Sequence, residues 1–241
     1  MPADLLSVRG LHSYYGRAHI LAGIDLSVGR GEVVALVGRN GAGKSTTLRS
    51  IMGLVEARRG AIAFDGHDIS TRRPYEIARL GLGYVPEDRR IFTDLTVREN
   101  LEVGRRTPRD GAAARTPAWT PERVYTLFPN LAEARDRAGG QLSGGEQQML
   151  TIARTLMGNP AMILLDEPSE GIAPRIVEMM ATTILELKKD GLTVMLSEQN
   201  LHFAAVVSDR AFVIEKGRIR YEGRMADLKS NEEVRRAYLT M

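Results

Sequence analysis

The segment Gly38-Arg39-Asn40-Gly41-Ala42-Gly43-Lys44-Ser45 decides the fold class of this 241-residue chain. It fits the pattern G-x-x-x-x-G-K-[ST], follows the apolar run 32–37 and precedes a helical run that begins at Thr46. Glycines let successive backbone N–H groups point at phosphate oxygens, and the following helix adds the positive end of its dipole. Lys44 suits the β- and γ-phosphates, and the Ser45 hydroxyl suits Mg²⁺. The pattern predicts a phosphate-binding loop; a glycine-rich turn without a ligand is the alternative.

Apolar runs without alternation recur along the chain, at residues 32–37, 82–85, 161–165 and 193–197. Such runs are typical of strands buried on both faces, as in a parallel sheet covered by helices. Two other segments predict antiparallel hairpins, 61–64 before Asp65-Gly66 and 211–214 before Lys216-Gly217. We therefore predict an α/β fold with a mostly parallel core sheet and an antiparallel β subdomain.

Residues 95–140 differ from the rest because prolines such as Pro121 and Pro129 divide them into short helical pieces. The stretch around Ala112-Ala113-Ala114 has the composition of a solvated loop. We interpret this region as a helical subdomain inserted into a single domain that spans residues 1–241. The core is then formed by about 1–94 and 141–241.

Composition excludes several classes of function. The chain has no cysteine, which excludes disulfides, thiolate metal sites and a cysteine nucleophile. Its 33 basic residues are scattered and nearly balanced by 30 acidic ones, so nucleic acid is not the expected partner. No apolar run approaches the roughly 18 residues of a membrane span, and Asp4 stands where a signal peptide has basic charge. We expect a cytosolic chain that reaches a membrane only by docking on another protein.

The apolar run 161–165 ends in two carboxylates, Asp166 and Glu167. An acid at the carboxyl end of a strand is expected beside the phosphate loop of a neighbouring strand, where Asp166 can hold the metal. Glu167 is then placed to polarise the attacking water. A strand that ends in Asp-Glu is often only a capped turn, but the phosphate loop favours the catalytic interpretation.

A second helix start follows the segment Leu142-Ser143-Gly144-Gly145-Glu146. Ser143 is a natural N-cap and Glu146 occupies the capping-box position, so the helix has anion-binding potential at its start. A capped helix and nothing more is the alternative.

These segments, in this order, resemble the ATP-binding cassette (ABC) ATPases over nearly the whole chain. The resemblance implies that two cassettes pair head to tail, with each ATP between one phosphate loop and the other subunit's signature segment 142–146. It also implies that Tyr15 stacks on adenine, with Tyr14 as a substitute. The ATP contacts expected in one subunit are Tyr15, Gly38, Arg39, Asn40, Gly41, Ala42, Gly43, Lys44, Ser45 and Thr46. Those expected from the partner's signature are Leu142, Ser143, Gly144, Gly145 and Glu146. The metal ligands that the resemblance implies are Ser45, Asp166 and Glu87, and the catalytic residues that it implies are Glu167 and Gln199.

Two positions depart from the general family pattern. Glu87 stands where most cassettes have a glutamine that senses Mg²⁺, and Gln199 where most have a histidine that contacts the γ-phosphate. Glutamate can ligate Mg²⁺, and Gln199 can donate a neutral hydrogen bond. The segments Val85-Pro86-Glu87 and Glu198-Gln199-Asn200, together with residues 88–92, 95–101 and 234–239, closely resemble the LivF-type ATPases of branched-chain amino-acid importers. Relatives of that subgroup handle urea, short amides and other hydrophobic amino acids.

The resemblance implies ATP and Mg²⁺ as cofactors and a position on the cytoplasmic face of the inner membrane. The expected partners are a second ATPase subunit, identical or a sister chain, the transmembrane permease subunits and, indirectly, a periplasmic solute-binding protein. A regulatory subunit that binds ATP but hydrolyses little is the alternative, motivated by Glu87 and Gln199. A DNA-repair or translation cassette fits poorly, because the chain has one cassette and only about a hundred residues between Lys44 and Ser143.

Overall fold

The computed structural model describes residues 4–107 and 118–238. The strands are β1 (Leu6–Tyr15), β2 (Ala18–Val28), β3 (Val33–Val37), β4 (Ala57–Phe64), β5 (His67–Asp68), β6 (Leu82–Val85), β7 (Met162–Asp166), β8 (Thr193–Glu198), β9 (Arg210–Glu215) and β10 (Arg218–Arg224). The helices are α1 (Lys44–Ile51), α2 (Pro74–Arg79), α3 (Val97–Gly104), α4 (Pro121–Leu127), α5 (Pro129–Glu133), α6 (Gly144–Leu156), α7 (Pro174–Lys189), α8 (Leu201–Val207), α9 (Met225–Ser230) and α10 (Glu232–Tyr238). A 3₁₀ turn covers Gly139–Gln141.

The main sheet has six strands in the order β10-β9-β3-β8-β7-β6. Strands β9, β3, β8, β7 and β6 run parallel to one another, and β10 is antiparallel to β9. Every residue of β3, β7 and β8 is buried, as expected for strands covered on both faces. The predicted α/β fold class with a mostly parallel core sheet is confirmed.

The second sheet is antiparallel, with four strands in the order β2-β1-β4-β5. Its β4–β5 hairpin turns at Asp65 and Gly66, whose φ angles of 50° and 76° match a type I′ turn. The β9–β10 hairpin turns in the same way at Lys216 and Gly217, with φ angles of 46° and 70°. Both predicted hairpins are confirmed.

Two hydrophobic clusters cover the two faces of the main sheet. Val34 and Leu36 of β3 pack in the cluster that includes α1 and the antiparallel sheet. Val33 and Ala35 pack in the other cluster, with α6, α7 and α8. Alternate residues of β3 thus anchor it on both sides, which fixes the position of the loop that follows it.

Helices α3, α4 and α5 occupy the region predicted to be helical, and α3 packs against α6. The contact is close: a Cβ at Gly104 of α3 would collide with the carbonyl oxygen of Arg154 in α6. Residues 108–117, with the loop predicted around Ala112–Ala114, lie outside the described residues. The division into core and helical subdomain stays a prediction. None of the helices in the described ranges is long and apolar enough to cross a bilayer.

One expectation about strand order is wrong. The sequence predicts that the acid-bearing strand β7 lies next to β3, which carries the phosphate loop, but β8 lies between them. Strand β8 is hydrogen-bonded to both. The carboxyl end of β8 therefore lies between the phosphate loop, which follows β3, and the acidic end of β7.

Candidate nucleotide-binding site

The phosphate loop follows β3 and ends at the start of α1. Gly41 and Gly43 have φ angles of 77° and 111°, a region that favours glycine. Gly38 has no such angle, but a Cβ there would collide with the Ile214 carbonyl oxygen of β9. Gly43 caps α1 without a side-chain hydrogen bond, so the first N–H groups of the helix are not capped by a side chain. The loop has the backbone shape that the sequence pattern predicts.

Lys44 is buried and lies inside this loop. Its Nζ donates hydrogen bonds to the carbonyl oxygens of Gly38 at 2.9 Å and Arg39 at 3.2 Å. The same nitrogen lies 3.1 Å from Oε1 of Glu167, which is also buried. Lys44 of the phosphate loop and Glu167 after β7 therefore form an ion pair, although β8 separates the strands that precede them.

Asp166 is fully buried at the end of β7 and accepts two hydrogen bonds. The Ser197 hydroxyl donates to Oδ1 at 2.7 Å, and the Tyr84 hydroxyl donates to Oδ2 at 3.0 Å. Burial and the charge of Asp166 raise the pKa of Tyr84, while hydrogen bonding to Tyr84 raises the pKa of Arg49. Sequence reasoning missed Tyr84 and Ser197 as partners of Asp166, because their contact depends on strand order and has no local signal.

Glu167 adopts a strained backbone conformation, with a φ angle of 48°. Its N–H donates to both the carbonyl and the hydroxyl oxygen of Ser197, each at 3.1 Å. These bonds hold the backbone in a conformation that costs about 1–2 kcal/mol for a residue with a side chain. The side chain is thereby directed at Lys44.

The surroundings of Glu167 carry excess negative charge. A hydrogen bond from Glu170 to Glu167, partial burial and the charges of Glu167 and Glu87 raise the pKa of Glu170 to about 7. A divalent cation would offset this charge. The Ser45 hydroxyl and the carboxylates of Asp166 and Glu87 are hard oxygen donors, which fit Mg²⁺ better than a softer metal.

Glu87 and Gln199 are both exposed and follow the carboxyl ends of β6 and β8, which are separated by β7. Glu87 lies just after β6, and Gln199 directly after β8. The Gly38 N–H donates to the carbonyl oxygen of Glu198 at 3.3 Å, so the segment with Gln199 begins beside the phosphate loop. Arg39, Asn40 and Gly41 are exposed on that loop.

Tyr15 ends β1 and is 47% exposed. Ser13, on the same strand, shares a 2.7 Å hydrogen bond with Ser50 of α1, and a hydrogen bond with Tyr15 contributes to the raised pKa of Arg49 in α1. Tyr14 instead stacks on His19 with ring centroids 4.4 Å apart. Of the two tyrosines considered for adenine stacking, Tyr15 is therefore the exposed one on the side of α1.

The signature segment begins α6 with the predicted capping box. The Ser143 N–H donates to the Glu146 carboxylate at 2.8 Å, and the Glu146 N–H donates to the Ser143 hydroxyl at 3.4 Å. Leu142 and Gly145 are buried, whereas Ser143 is exposed. These hydrogen bonds stay within the cap, and none of them joins the phosphate loop of the same chain.

Comparison with known proteins identifies this constellation. A family model described as ABC transporter matches residues 21–170, which include the phosphate loop, the signature segment and Glu167. This chain belongs to the ABC transporter family. The cassette is accordingly an ATP-binding subunit of a transporter, and its family hydrolyses ATP to drive transport.

Relatives of the cassette serve different transporters. It is 42% identical to the high-affinity branched-chain amino acid transport ATP-binding protein BraG of Pseudomonas aeruginosa, over 98% of this chain and 99% of that protein. It is 36% identical to the lipopolysaccharide export system ATP-binding protein LptB of Haemophilus influenzae, over 98% of this chain and 97% of that protein. A crystal structure of a nucleotide-free ATP-binding cassette superposes with a TM-score of 0.80 at 30% identity, covering 96% of this chain and 97% of that one.

Proposed function

We propose that this cassette powers the uptake of branched-chain or other hydrophobic amino acids. The observation that supports this substrate class is the 42% identity to BraG over nearly the whole of both chains, against 36% to LptB. The segments that contain Glu87 and Gln199 also resemble the corresponding segments of the LivF-type ATPases. The cassette would act on the cytoplasmic face of the inner membrane as a peripheral subunit.

Hydrolysis is best supported by the 3.1 Å contact between Lys44 and Glu167. Lys44 would contact the β- and γ-phosphates, and Glu167 would orient the attacking water and accept its proton. Gln199 would donate a neutral hydrogen bond to the γ-phosphate, and Tyr15 would stack on adenine. Mg²⁺, when bound by Ser45 and Asp166 with Glu87 nearby, would offset phosphate charge.

The exposed start of α6 supports pairing with a second cassette, either a copy or a sister chain. Its capped N-terminus carries N–H groups and a positive dipole end, and the hydrogen bonds of its capping box join only Ser143 and Glu146. In a head-to-tail pair, Leu142, Ser143, Gly144, Gly145 and Glu146 would contact the ATP held by the other subunit.

An apolar groove supports docking of a permease helix. It encloses about 540 Å³ between the core and α3, and it includes four exposed apolar side chains, Leu54, Tyr75, Phe92 and Val103. Its charged lining residues, among those that the structure describes, are the arginines Arg90, Arg106 and Arg154. An amphipathic permease helix with acidic residues would suit this surface. A periplasmic solute-binding protein would act through that permease.

The substitution Glu167→Gln tests the catalytic assignment. We expect ATP binding to be retained and steady-state turnover by the assembled transporter to fall by about 10²-fold or more, within the range lost when a general base is removed. Binding is measured by nucleotide titration, and turnover by phosphate release. Turnover that survives in the variant would remove Glu167 from the role of general base.

The same variant tests the alternative of a regulatory subunit that hydrolyses little. If a sister ATPase carries the activity, Glu167→Gln in this chain alone leaves turnover of the complex nearly unchanged. The corresponding substitution in the sister chain then abolishes it.

Uptake in cells that lack this chain tests the substrate class. We expect loss of leucine, isoleucine and valine uptake, restored by the wild-type chain but not by Glu167→Gln. Loss of urea or amide uptake instead would assign the cassette to the related importers. A defect in lipopolysaccharide export with normal amino-acid uptake would refute import.

A further inference from the structure

Glu198 is a buried acid at the carboxyl end of β8, only 2% exposed. Its Oε1 accepts a hydrogen bond from the Ser169 N–H at 3.0 Å, and its Oε2 accepts one from the Asn200 N–H at 3.3 Å. The charged group that acts on it is Glu167, which is also negative. The carboxylate is therefore held by uncharged donors, the N–H groups of Ser169 and Asn200 and the Ser169 side chain.

The three contacts of Glu198 join three segments of the candidate site. Its carbonyl oxygen accepts from Gly38 of the phosphate loop. One carboxylate oxygen holds Ser169, which follows Glu167 and Pro168 at the start of the loop before α7. The other holds Asn200, next to Gln199. Glu198 therefore links the phosphate loop, the segment after Glu167 and the segment of Gln199 through hydrogen bonds of one residue.

Burial of this acid is unfavourable, so packing alone does not account for it. A carboxylate removed from water without a cation loses solvation that its hydrogen bonds from Ser169 and Asn200 only partly restore. Burial accordingly raises the pKa of Glu198 to about 7, although hydrogen bonds from Ser169 and Asn200 act in the opposite direction. An apolar side chain would fill the space without this cost, but it would leave both N–H groups unpaired.

We propose that Glu198 is a positioning residue for ATP hydrolysis, which fixes the segment after Glu167 and the segment of Gln199 relative to the phosphate loop. It acts through those two segments and does not touch the nucleotide itself. The proposal rests on the proposed roles of Glu167 and Gln199. A small displacement of such groups is sufficient to slow a reaction without weakening substrate binding.

The test compares Glu198→Leu with Glu198→Gln in the assembled transporter. Leucine keeps the approximate volume and removes both acceptors, so we expect kcat to fall about ten-fold or more while KM for ATP stays within about two-fold. Glutamine keeps one acceptor for Ser169, and we expect its kcat to stay within about three-fold of wild type. Thermal unfolding of each variant separates positioning from loss of fold.

Glu32→Leu is the matched control. Glu32 also accepts a backbone hydrogen bond, from Gly29 at 2.8 Å, and is partly buried, but it precedes β3 at the opposite end of the sheet. We expect its kcat to equal that of wild type. An equal loss of kcat in Glu32→Leu and Glu198→Leu would overturn the proposal, as would wild-type kcat in Glu198→Leu.

Glu198→Asp decides the question if the leucine variant does not assemble. Aspartate keeps the charge but is one methylene shorter, so it cannot hold both donors, and we expect kcat to fall at unchanged KM. Wild-type kcat in this variant would refute positioning. Glu167→Gln, measured in parallel, separates the two proposals: a fully active Glu167→Gln refutes the catalytic assignment, whatever the Glu198 variants show.

Discussion

At the scale of single residues, Gly38 and Gly41 of the phosphate loop exclude side chains for different reasons. A Cβ at Gly38 would collide with the Ile214 carbonyl oxygen, although its φ angle is unexceptional. Gly41 has a φ angle of 77° and open space around its Cα. We expect Gly38→Ala to lower the free energy of unfolding by about 2–3 kcal/mol, and Gly41→Ala by about 1 kcal/mol. Urea unfolding measures both, and the reverse order would contradict this description of the loop.

Glu198 predicts a pH dependence of stability. The pKa of its carboxyl is about 7 in the folded chain and 4.5 ordinarily, so between these values the folded chain holds a proton that the unfolded chain has released. The folded state binds more protons, and stability therefore falls as pH rises from about 4.5 to 7. The loss is about 3 kcal/mol at most.

Urea unfolding without nucleotide at pH 5 and pH 8 measures this effect in wild type and Glu198→Gln. The variant should lose less stability over this interval, because glutamine does not titrate. The pKa of Glu170 is also about 7, but Glu170 is present in both proteins, so the difference in their pH dependence reports mainly on Glu198. Identical pH dependence would contradict the assignment.

At the scale of elements, two helices begin with the same capping box but in different places. Thr96 caps α3 and Ser143 caps α6, each accepting from the N–H of the glutamate three residues later. We expect Ser143→Ala and Thr96→Ala each to cost about 1 kcal/mol of stability. Only Ser143→Ala should lower ATP turnover, because the start of α6 is the proposed contact to the partner's ATP. Equal turnover in both variants would argue against that contact.

The parallel strands could be predicted from sequence because burial on both faces leaves a continuous apolar run, as in residues 193–197 of β8. Strands β1 and β2 could not, because their pairing contains register shifts that break the alternation, for example between Val8 and Leu11. Motif spacing likewise located Lys44 and Glu167 but not the partners of Asp166. Tyr84 and Ser197 reach it from β6 and β8, and only the strand order makes them neighbours.

At the scale of the whole molecule, the apolar groove predicts where the transporter assembles. Val103 lines it and is 57% exposed, whereas Val206 on α8 is 49% exposed and lies outside it. We expect Val103→Asp to reduce co-purification with the permease at least ten-fold, because it places a charge in an apolar interface. Val206→Asp should assemble normally, and both should bind ATP as wild type does. Equal assembly of the two variants would exclude this groove as the docking surface.

Helix α6 connects two distant regions of the molecule. Ser143 caps its N-terminus and Gly145 lies in its first turn, whereas Arg154 in its last turn lines the groove. Thirteen residues make a rod of about 20 Å. A tilt of this rigid helix at the Ser143 end would therefore displace Arg154 at the other end. If ATP at the start of α6 favoured one shape of the groove, a permease helix that favours that shape would strengthen ATP binding by the same free energy, because coupling between two sites is reciprocal.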